Sequence, residues 1–342
     1  MQPPSCRRSK TRFANSMPDE RLRAAREALR AWELEVKDIR LVSVTENIAF
    51  RVDDRAGGRY VLRLHRPWYH DLDELISEQT WTAALREAGV DVPVPVITRN
   101  GQGYARVEVA GERRYAGLLE WVDGPTMHDV MRRNDDPVFV GQCFAQLGEI
   151  MASIHNQSAA WTIPPGFRRQ RLDADGLMGE QPFWGRFWES PHLDAGERTR
   201  LATLRATVHR ILTAYGTEHR TFGLIHADLH PNNVIENGET LHVIDFDDAG
   251  FGWHAYDFAV ALSHLQRDHR VDEFTGAMID GYRKHRAVAD ETVARIPLFL
   301  LVRNLASIGW IAARPELDHG DRTAWLVRLV EDSADRVLAR YR

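Results

Sequence analysis

The chain has 342 residues, of which 44 are basic and 49 acidic, for a formal net charge of −5. That length is ample for two lobes with buried cores, and the acidic balance argues against a nucleic-acid binder, which would show a basic stripe. The two cysteines, Cys6 and Cys143, offer no disulfide framework and fit a cytoplasmic protein.

Residues 1–16 carry Arg7, Arg8, Lys10 and Arg12 without an apolar run, so they read as a disordered tail and not as a secretory signal. Asp19 can cap a helix to about Leu34, with Leu22, Ala25, Leu29 and Trp32 on one face. Strand-like runs follow at 39–44, 48–52 and 59–65, the last two joined through Gly57-Gly58. Asp71 or Asp73 starts a helix that Gly89 ends. Further strands are expected at 94–98, 103–109 and 113–122, with turns at Asn100-Gly101 and Gly111. From Thr126 onward helical periodicity prevails, interrupted by one hairpin. The irregular stretch 161–193 is rich in Pro, Gly and aromatic residues. Its Phe183-Trp184-Gly185-Arg186-Phe187-Trp188 run, with Trp253-His254, either lines an acceptor pocket or packs between helices. The most apolar stretch, 296–313, contains Arg303 and Asn304 and reads as a buried helix, not a membrane span.

The hairpin carries the chemistry. His226-Ala227-Asp228-Leu229-His230-Pro231-Asn232-Asn233 precedes the β-prone run Val234-Ile235-Glu236; a turn at Asn237-Gly238 leads to Leu241-His242-Val243-Ile244 and then Asp245-Phe246-Asp247-Asp248. Antiparallel pairing would bring Asn233 and Asp245 to one end. An aspartate, an asparagine five positions later and a second aspartate form the set that phosphoryl transfer needs. One carboxylate takes the proton of an attacking hydroxyl, while an amide oxygen and another carboxylate hold the metal on the phosphates. Order and spacing match the kinase signature except that Asp247 stands where protein kinases carry glycine. A transition-metal hydrolase built on His226-x-Asp228-x-His230 is the rival reading, but it leaves Asn233 and Asp245 unexplained.

These segments resemble the aminoglycoside phosphotransferase and choline kinase-like superfamily, whose pattern is His-Gly-Asp-x-His-x-x-Asn followed by Ile-Asp-Phe/Leu-Glu/Asp. Ala227 replaces the usual glycine. The resemblance implies an α+β, bilobal protein-kinase-like fold with a small antiparallel β-sheet N-lobe and a mainly helical C-lobe. It implies Asp228 as catalytic base, Asn233 and Asp245 as Mg2+ ligands, and His226 and His230 as residues shaping the loop. Asp257 matches an aspartate that braces the catalytic loop from the next helix. The Asp247-Asp248 pair is similar to the double aspartate of the bacterial stress-response kinases in this superfamily.

The small lobe resembles the superfamily more faintly. Asn47 lies in the place of the phosphate-covering loop, whose usual glycines are missing, and without glycine backbone amides approach phosphates less freely. Arg63 stands where relatives hold a lysine to the phosphates, with Glu78 as its expected helical partner. Glu120 and Val122 fall where family members bind adenine through the main chain. The implied organisation is a nucleotide-binding lobe over 17–119, a linker at 120–124 and a catalytic and acceptor-binding lobe over 125–342. The implied activity is ATP-dependent phosphorylation of a hydroxyl on a small molecule (an aminoglycoside, amino alcohol, sugar or amino-acid derivative), with GTP as an alternative donor. A Ser/Thr protein kinase of the stress-response type and a catalytically weak nucleotide-binding scaffold are the alternatives. Neither a nucleic-acid nor a membrane partner is expected, and the chain is expected to be a monomer or homodimer.

Overall fold

The computed structural model describes residues 10–341 apart from Glu46, Glu316 and Asp318, with backbone alone over 10–19. The chain divides into two compact units. One runs to Ala83 and includes Pro93–Val122; the other comprises Ala84–Val92 and the chain from Asp123 onward.

The first unit is a five-stranded antiparallel sheet with helices. Helix α1 (Lys10–Leu29) precedes β1 (Val36–Val44), β2 (Ile48–Asp54) and β3 (Arg59–Leu64); α2 (Leu72–Glu87), β4 (Tyr104–Val109) and β5 (Glu112–Glu120) follow, in sheet order β1-β2-β3-β5-β4. The helix expected from Asp19 begins earlier, so Asp19 lies inside α1 and Lys10–Ser16 is helical where a tail was expected; residues 1–9 lie outside the described residues. The helix also ends before Leu34, because Arg30, Ala31 and Trp32 turn their N–H groups onto the third residue back. Its apolar face behaves as its spacing requires: Ala24, Ala25, Ala28 and Leu29, with Trp32, are buried against Phe50, Val52, Leu62 and Leu118.

Local turn chemistry sets the sheet register. Gly57 (φ +92°) makes the β2–β3 turn, and Ala110 and Gly111, both at positive φ, make the two-residue β4–β5 turn. Asp71 caps α2: its Oδ1 accepts the Glu74 N–H at 2.9 Å while Glu74 Oε2 accepts the Asp71 N–H at 3.0 Å. The strand expected at 94–98 does not form. Pro93 and Pro95 lack the N–H groups a ladder needs, so the segment contributes one bridge, Pro95 to Leu119, flanked by hydrogen bonds from Val96 to Leu118 and from Glu120 to Val94.

The second unit is mainly helical. After α3 (Met127–Arg133) and α4 (Pro137–Ala160) come β6 (Arg171–Leu172), α5 (Ala174–Met178), α6 (Ala195–Tyr215) and β7 (Phe222–Ile225). The hairpin β8 (Val234–Asn237) and β9 (Thr240–Val243) leads to β10 (Gly250–Trp253), then α7 (His254–Leu262), α8 (Val271–Arg283), α9 (Asp290–Val293), α10 (Ile296–Ala312) and α11 (Arg322–Leu338). Strand β10 joins β6 in parallel and β7 in antiparallel pairing. Helices α4 and α8 approach closely through Gly148 and Gly281. A Cβ on either would fall 2.0 Å from a carbonyl oxygen of the opposing helix, at Met278 and Ala145.

Most of the aromatic run belongs to the core. Trp184, Phe187, Trp188 and Trp253 are buried with Tyr256 and Phe299, and Trp253 donates its indole N–H to Gly216 at 2.8 Å. Helix α10, with the preceding turn, is long and apolar enough to cross a membrane by length and composition. Here its Leu298, Phe299, Val302, Leu305 and Ile308 are buried in that core against α7 and α11.

Candidate active site

Strand β7 delivers His226, Ala227 and Asp228 into a turn of unusual backbone. Ala227 sits at φ +63°, a left-handed conformation that costs an L-residue about 1–2 kcal/mol. Asp257, in the first turn of α7, holds it there. Its Oδ1 accepts the Ala227 N–H at 2.7 Å and its Oδ2 the His226 N–H at 3.2 Å. Burial pushes the Asp257 carboxyl up to about 6, against the pull of His226 and of the two amides. His155 of α4 completes the brace: its Nε2 lies 3.1 Å from Asp257 Oδ2 and its Nδ1 3.0 Å from the Tyr282 hydroxyl. Burial pulls the His155 imidazole down to about 3, so it is neutral. The network then assigns Nε2–H as donor to Asp257 and Nδ1 as acceptor from Tyr282. His155, legible in the sequence as a packed core histidine, is that and also a loop support.

Asp228 is surrounded by donors. Asn233 Nδ2 donates to the Asp228 carbonyl at 2.9 Å and to its Oδ2 at 3.1 Å, and His230 Nε2 lies 3.5 Å from the same oxygen. Arg303 of α10 donates through Nη2 to Oδ1 at 2.6 Å. Burial alone would raise the Asp228 carboxyl; the charges of His230 and Arg303 outweigh it and hold the group below the ordinary carboxylate range. It is therefore ionised throughout the neutral range. His226 shapes the loop from inside: Nδ1 accepts the Asp228 N–H at 3.2 Å and Nε2 donates to the Ile244 carbonyl at 3.0 Å. With both ring nitrogens engaged, His226 offers no lone pair to a transition metal. Among the described residues no group of three His, Cys, Asp or Glu side chains has metal-site geometry, so the hydrolase reading has no support.

The hairpin register is Val234 with Val243 through Asn237 with Thr240, and the Ile244 N–H reaches the Asn233 carbonyl at 3.0 Å. Asn233 and Asp245 therefore flank the same end of the ladder. The turn differs by one residue from expectation. Asn237 pairs within the strand, and Gly238 (φ +63°) with Glu239 forms the two-residue turn. Asp245 is exposed and itself sits at φ +67°, while Asp247 and Asp248 are buried. Two residues far away in sequence fix this segment. Buried Arg169 donates Nε to the Ala249 carbonyl at 2.7 Å, and Nη2 to those of Phe246 and Asp247 at 2.9 and 2.6 Å. Gln170 Nε2 donates to the Asp248 carbonyl at 2.8 Å.

In the first unit, Asn47 is buried and its Oδ1 accepts the Arg66 N–H at 2.9 Å, so this oxygen ties the β1–β2 turn to the chain beyond β3. Arg63 is half-buried on β3, opposite Ala49 and Gly117, and Glu78 is buried on α2. Glu120 ends β5, exposed, with its N–H committed to Val94; Val122 is half-buried. Sequence reasoning missed Arg169 and Arg303. For Arg303 a signal existed: a lone charge inside an apolar helix requires a buried partner.

An antiparallel five-stranded unit, a helical unit and an Asp-Asn-Asp hairpin define a kinase-like phosphotransferase. The chain belongs to the phosphotransferase enzyme family, whose model matches residues 38–295. A homoserine kinase of Afipia carboxidovorans is 30% identical over 244 residues, covering 68% of this chain and 67% of that protein. The solved structure of a microcompartment-associated aminopropanol kinase is 32% identical, with a TM-score of 0.79 over 93% of this chain and 98% of that one. An amicoumacin kinase in complex with AMP-PNP, Ca2+ and Ami shares the fold at 19% identity, with a TM-score of 0.77 over 95% and 96% of the two chains.

Proposed function

We propose that this protein transfers the γ-phosphate of ATP to a hydroxyl of a small, amine-bearing acceptor, with Asp228 as the base. The observation that carries the reading is the double hold of Asn233 Nδ2 on the Asp228 carbonyl and carboxylate. It fixes the base and, since the amide nitrogen is so engaged, turns the Asn233 oxygen to the other side. Homoserine, aminopropanol and amicoumacin kinases among the similar proteins favour a small-molecule acceptor over a protein one.

The donor set fits a hard divalent cation such as Mg2+. An amide oxygen on Asn233 and a carboxylate on exposed Asp245 are oxygen ligands, too few for an all-protein cage and suited to a cation shared with phosphates. When bound, that cation would neutralise charge developing on the phosphates. The rest is done by side chains. Asp228 orients the acceptor O–H along the line of attack. As the new O–P bond forms and the bond to the leaving ADP breaks, the hydroxyl proton passes to the Asp228 carboxylate. A carboxylate held this acidic is a weak base, which suits a loose transition state in which the proton moves late. Arg63 supplies charge to the donor phosphates, and the main chain at Glu120–Val122 receives the adenine.

Asp228→Asn is the test. Calorimetry should find ATP affinity near wild type in the presence of Mg2+, while turnover on the best acceptor of an amino-alcohol and amino-acid panel falls about 10²–10⁴-fold. Equal turnover in the mutant would remove Asp228 as base.

A further inference from the structure

Any acceptor hydroxyl that reaches Asp228 must do so beside Arg303. Asp228 Oδ2 is held by Asn233 and faced by His230, so the approach is left to Oδ1, the oxygen that Arg303 holds at 2.6 Å. We propose that Arg303 determines acceptor specificity by gripping a carboxylate on the same molecule that presents the hydroxyl. The inference rests on the phosphotransferase reading above and narrows it to hydroxy-amino acids.

Three observations support it. Arg303 is the only charged residue in α10, a helix otherwise apolar or neutral, so its charge serves the Asp228 end and not the helix surface. Its guanidinium is fixed over the Trp184 ring at 5.9 Å and is mostly buried, with side-chain exposure of 17%. That plane keeps a fork of five donors in one orientation, of which one goes to Asp228 while the Tyr256 hydroxyl engages the same guanidinium, and a planar fork matches a carboxylate in a way a lysine does not. Finally, Arg303 and Asp228 act electrostatically on Arg322 of α11, and Tyr256, Asp228 and Asp248 act on Arg303. Charge of both signs is thus concentrated at Arg303. Size agrees. A carboxylate on the far edge of the Arg303 fork, at ordinary charge-assisted distances, lies roughly 6 Å from Asp228 Oδ1. A hydroxyl and a carboxylate separated by two or three carbons span that gap.

The experiment compares matched acceptors that differ only by the carboxylate: homoserine with 3-aminopropan-1-ol, and serine with ethanolamine. kcat/KM is measured for each with the wild type, Arg303→Gln and Arg303→Lys. Wild type should favour the carboxylate-bearing member of at least one pair about 10- to 100-fold, the weight of a charge-assisted hydrogen bond. Arg303→Gln should bring that ratio close to one, chiefly by raising KM for the amino acid, and Arg303→Lys should restore part of it. A residue that only supported Asp228 would slow both members alike and leave the ratio unmoved. Should Arg303→Gln not fold, calorimetric binding of homoserine and of 3-aminopropan-1-ol to the wild type with ADP and Mg2+ gives the same comparison. Equal or reversed preference in the wild type, or a preference that survives Arg303→Gln, overturns the inference. Turnover of an amino alcohol that still depends on Asp228 would then leave the phosphotransferase reading standing.

Discussion

Replacing Arg169 with methionine should loosen the segment that carries Asp245. The side chain is buried, with relative exposure of 7%, and makes three hydrogen bonds to the carbonyls of Phe246, Asp247 and Ala249 at 2.6–2.9 Å. A charged donor to a carbonyl is worth about 1.5–3 kcal/mol, and a buried acceptor left unsatisfied costs about 1–3 kcal/mol. Water entering the space and the surviving Gln170 contact to Asp248 lower the sum. Taking about 1 kcal/mol per lost bond gives a local destabilisation of about 3 kcal/mol, equivalent to about a hundredfold in an opening equilibrium. Hydrogen exchange read on peptides covering 246–253 measures that opening directly, because Ala249 and Phe251 donate their amides inside the segment and to Gln170. The Mg2+ concentration for half-maximal activity should rise in parallel. Arg169→Lys should recover only about a third, because one ammonium nitrogen cannot occupy the places of both Nε and Nη2. Wild-type exchange in Arg169→Met, or full rescue by lysine, would refute the reasoning.

Asp245→Ala should raise the Mg2+ requirement steeply and Asn233→Ala less so, since a neutral amide attracts a hard cation less than a carboxylate does; an unchanged Mg2+ titration in Asp245→Ala would remove it as a ligand. Asp257→Asn should alter the pH dependence of stability in a defined window. The folded carboxyl is raised by burial from the ordinary 3.8 to about 6. Its neutral form is thus favoured in the folded state, and the associated stability is present below about pH 4 and lost as pH rises through 6. Urea denaturation should show the wild type losing about 3 kcal/mol relative to Asp257→Asn between pH 4 and 7. A constant difference between the two proteins would show that Asp257 is not the titrating group.

The parts of the site legible in the sequence are those built from near neighbours. Asp228, Asn233 and Asp245 fall within one hairpin, so spacing and a glycine turn were enough to bring two of them to one end. Even there the turn slipped by a residue, because only one positive-φ position was needed and Gly238 filled it. The five strands of the first unit were legible as β-prone runs, with glycine turns after β2 and β4. The expected strand at 94–98 is rich in β-prone residues but contains Pro95 and follows Pro93, and the missing donors decided the outcome. The Asn47 Oδ1 accepts from Arg66, nineteen residues on, a contact that spacing within the β1–β2 turn does not announce. Arg169 and Arg303 were beyond local reasoning, since their partners lie 77–80 and 75 residues away.

Those two distant arginines and Asp257 show what the tertiary structure adds to the hairpin. Both segments of the candidate site contain a non-glycine residue in the left-handed region, Ala227 beside Asp228 and Asp245 itself. Such conformations persist only where the surroundings over-determine them. The means are complementary in charge. At Ala227 a buried carboxylate, Asp257, collects two backbone N–H groups; after Asp245 a buried guanidinium, Arg169, collects three backbone carbonyls. A backbone turned against its own preference exposes amides on one side and carbonyls on the other, and each set recruits an ion of the opposite sign. Between them, Asp228 is held by Asn233 from within the hairpin and by Arg303 from α10. If Asp228 is the base, as proposed, it is thereby set in place before an acceptor arrives, and little reorganisation remains for the transfer step.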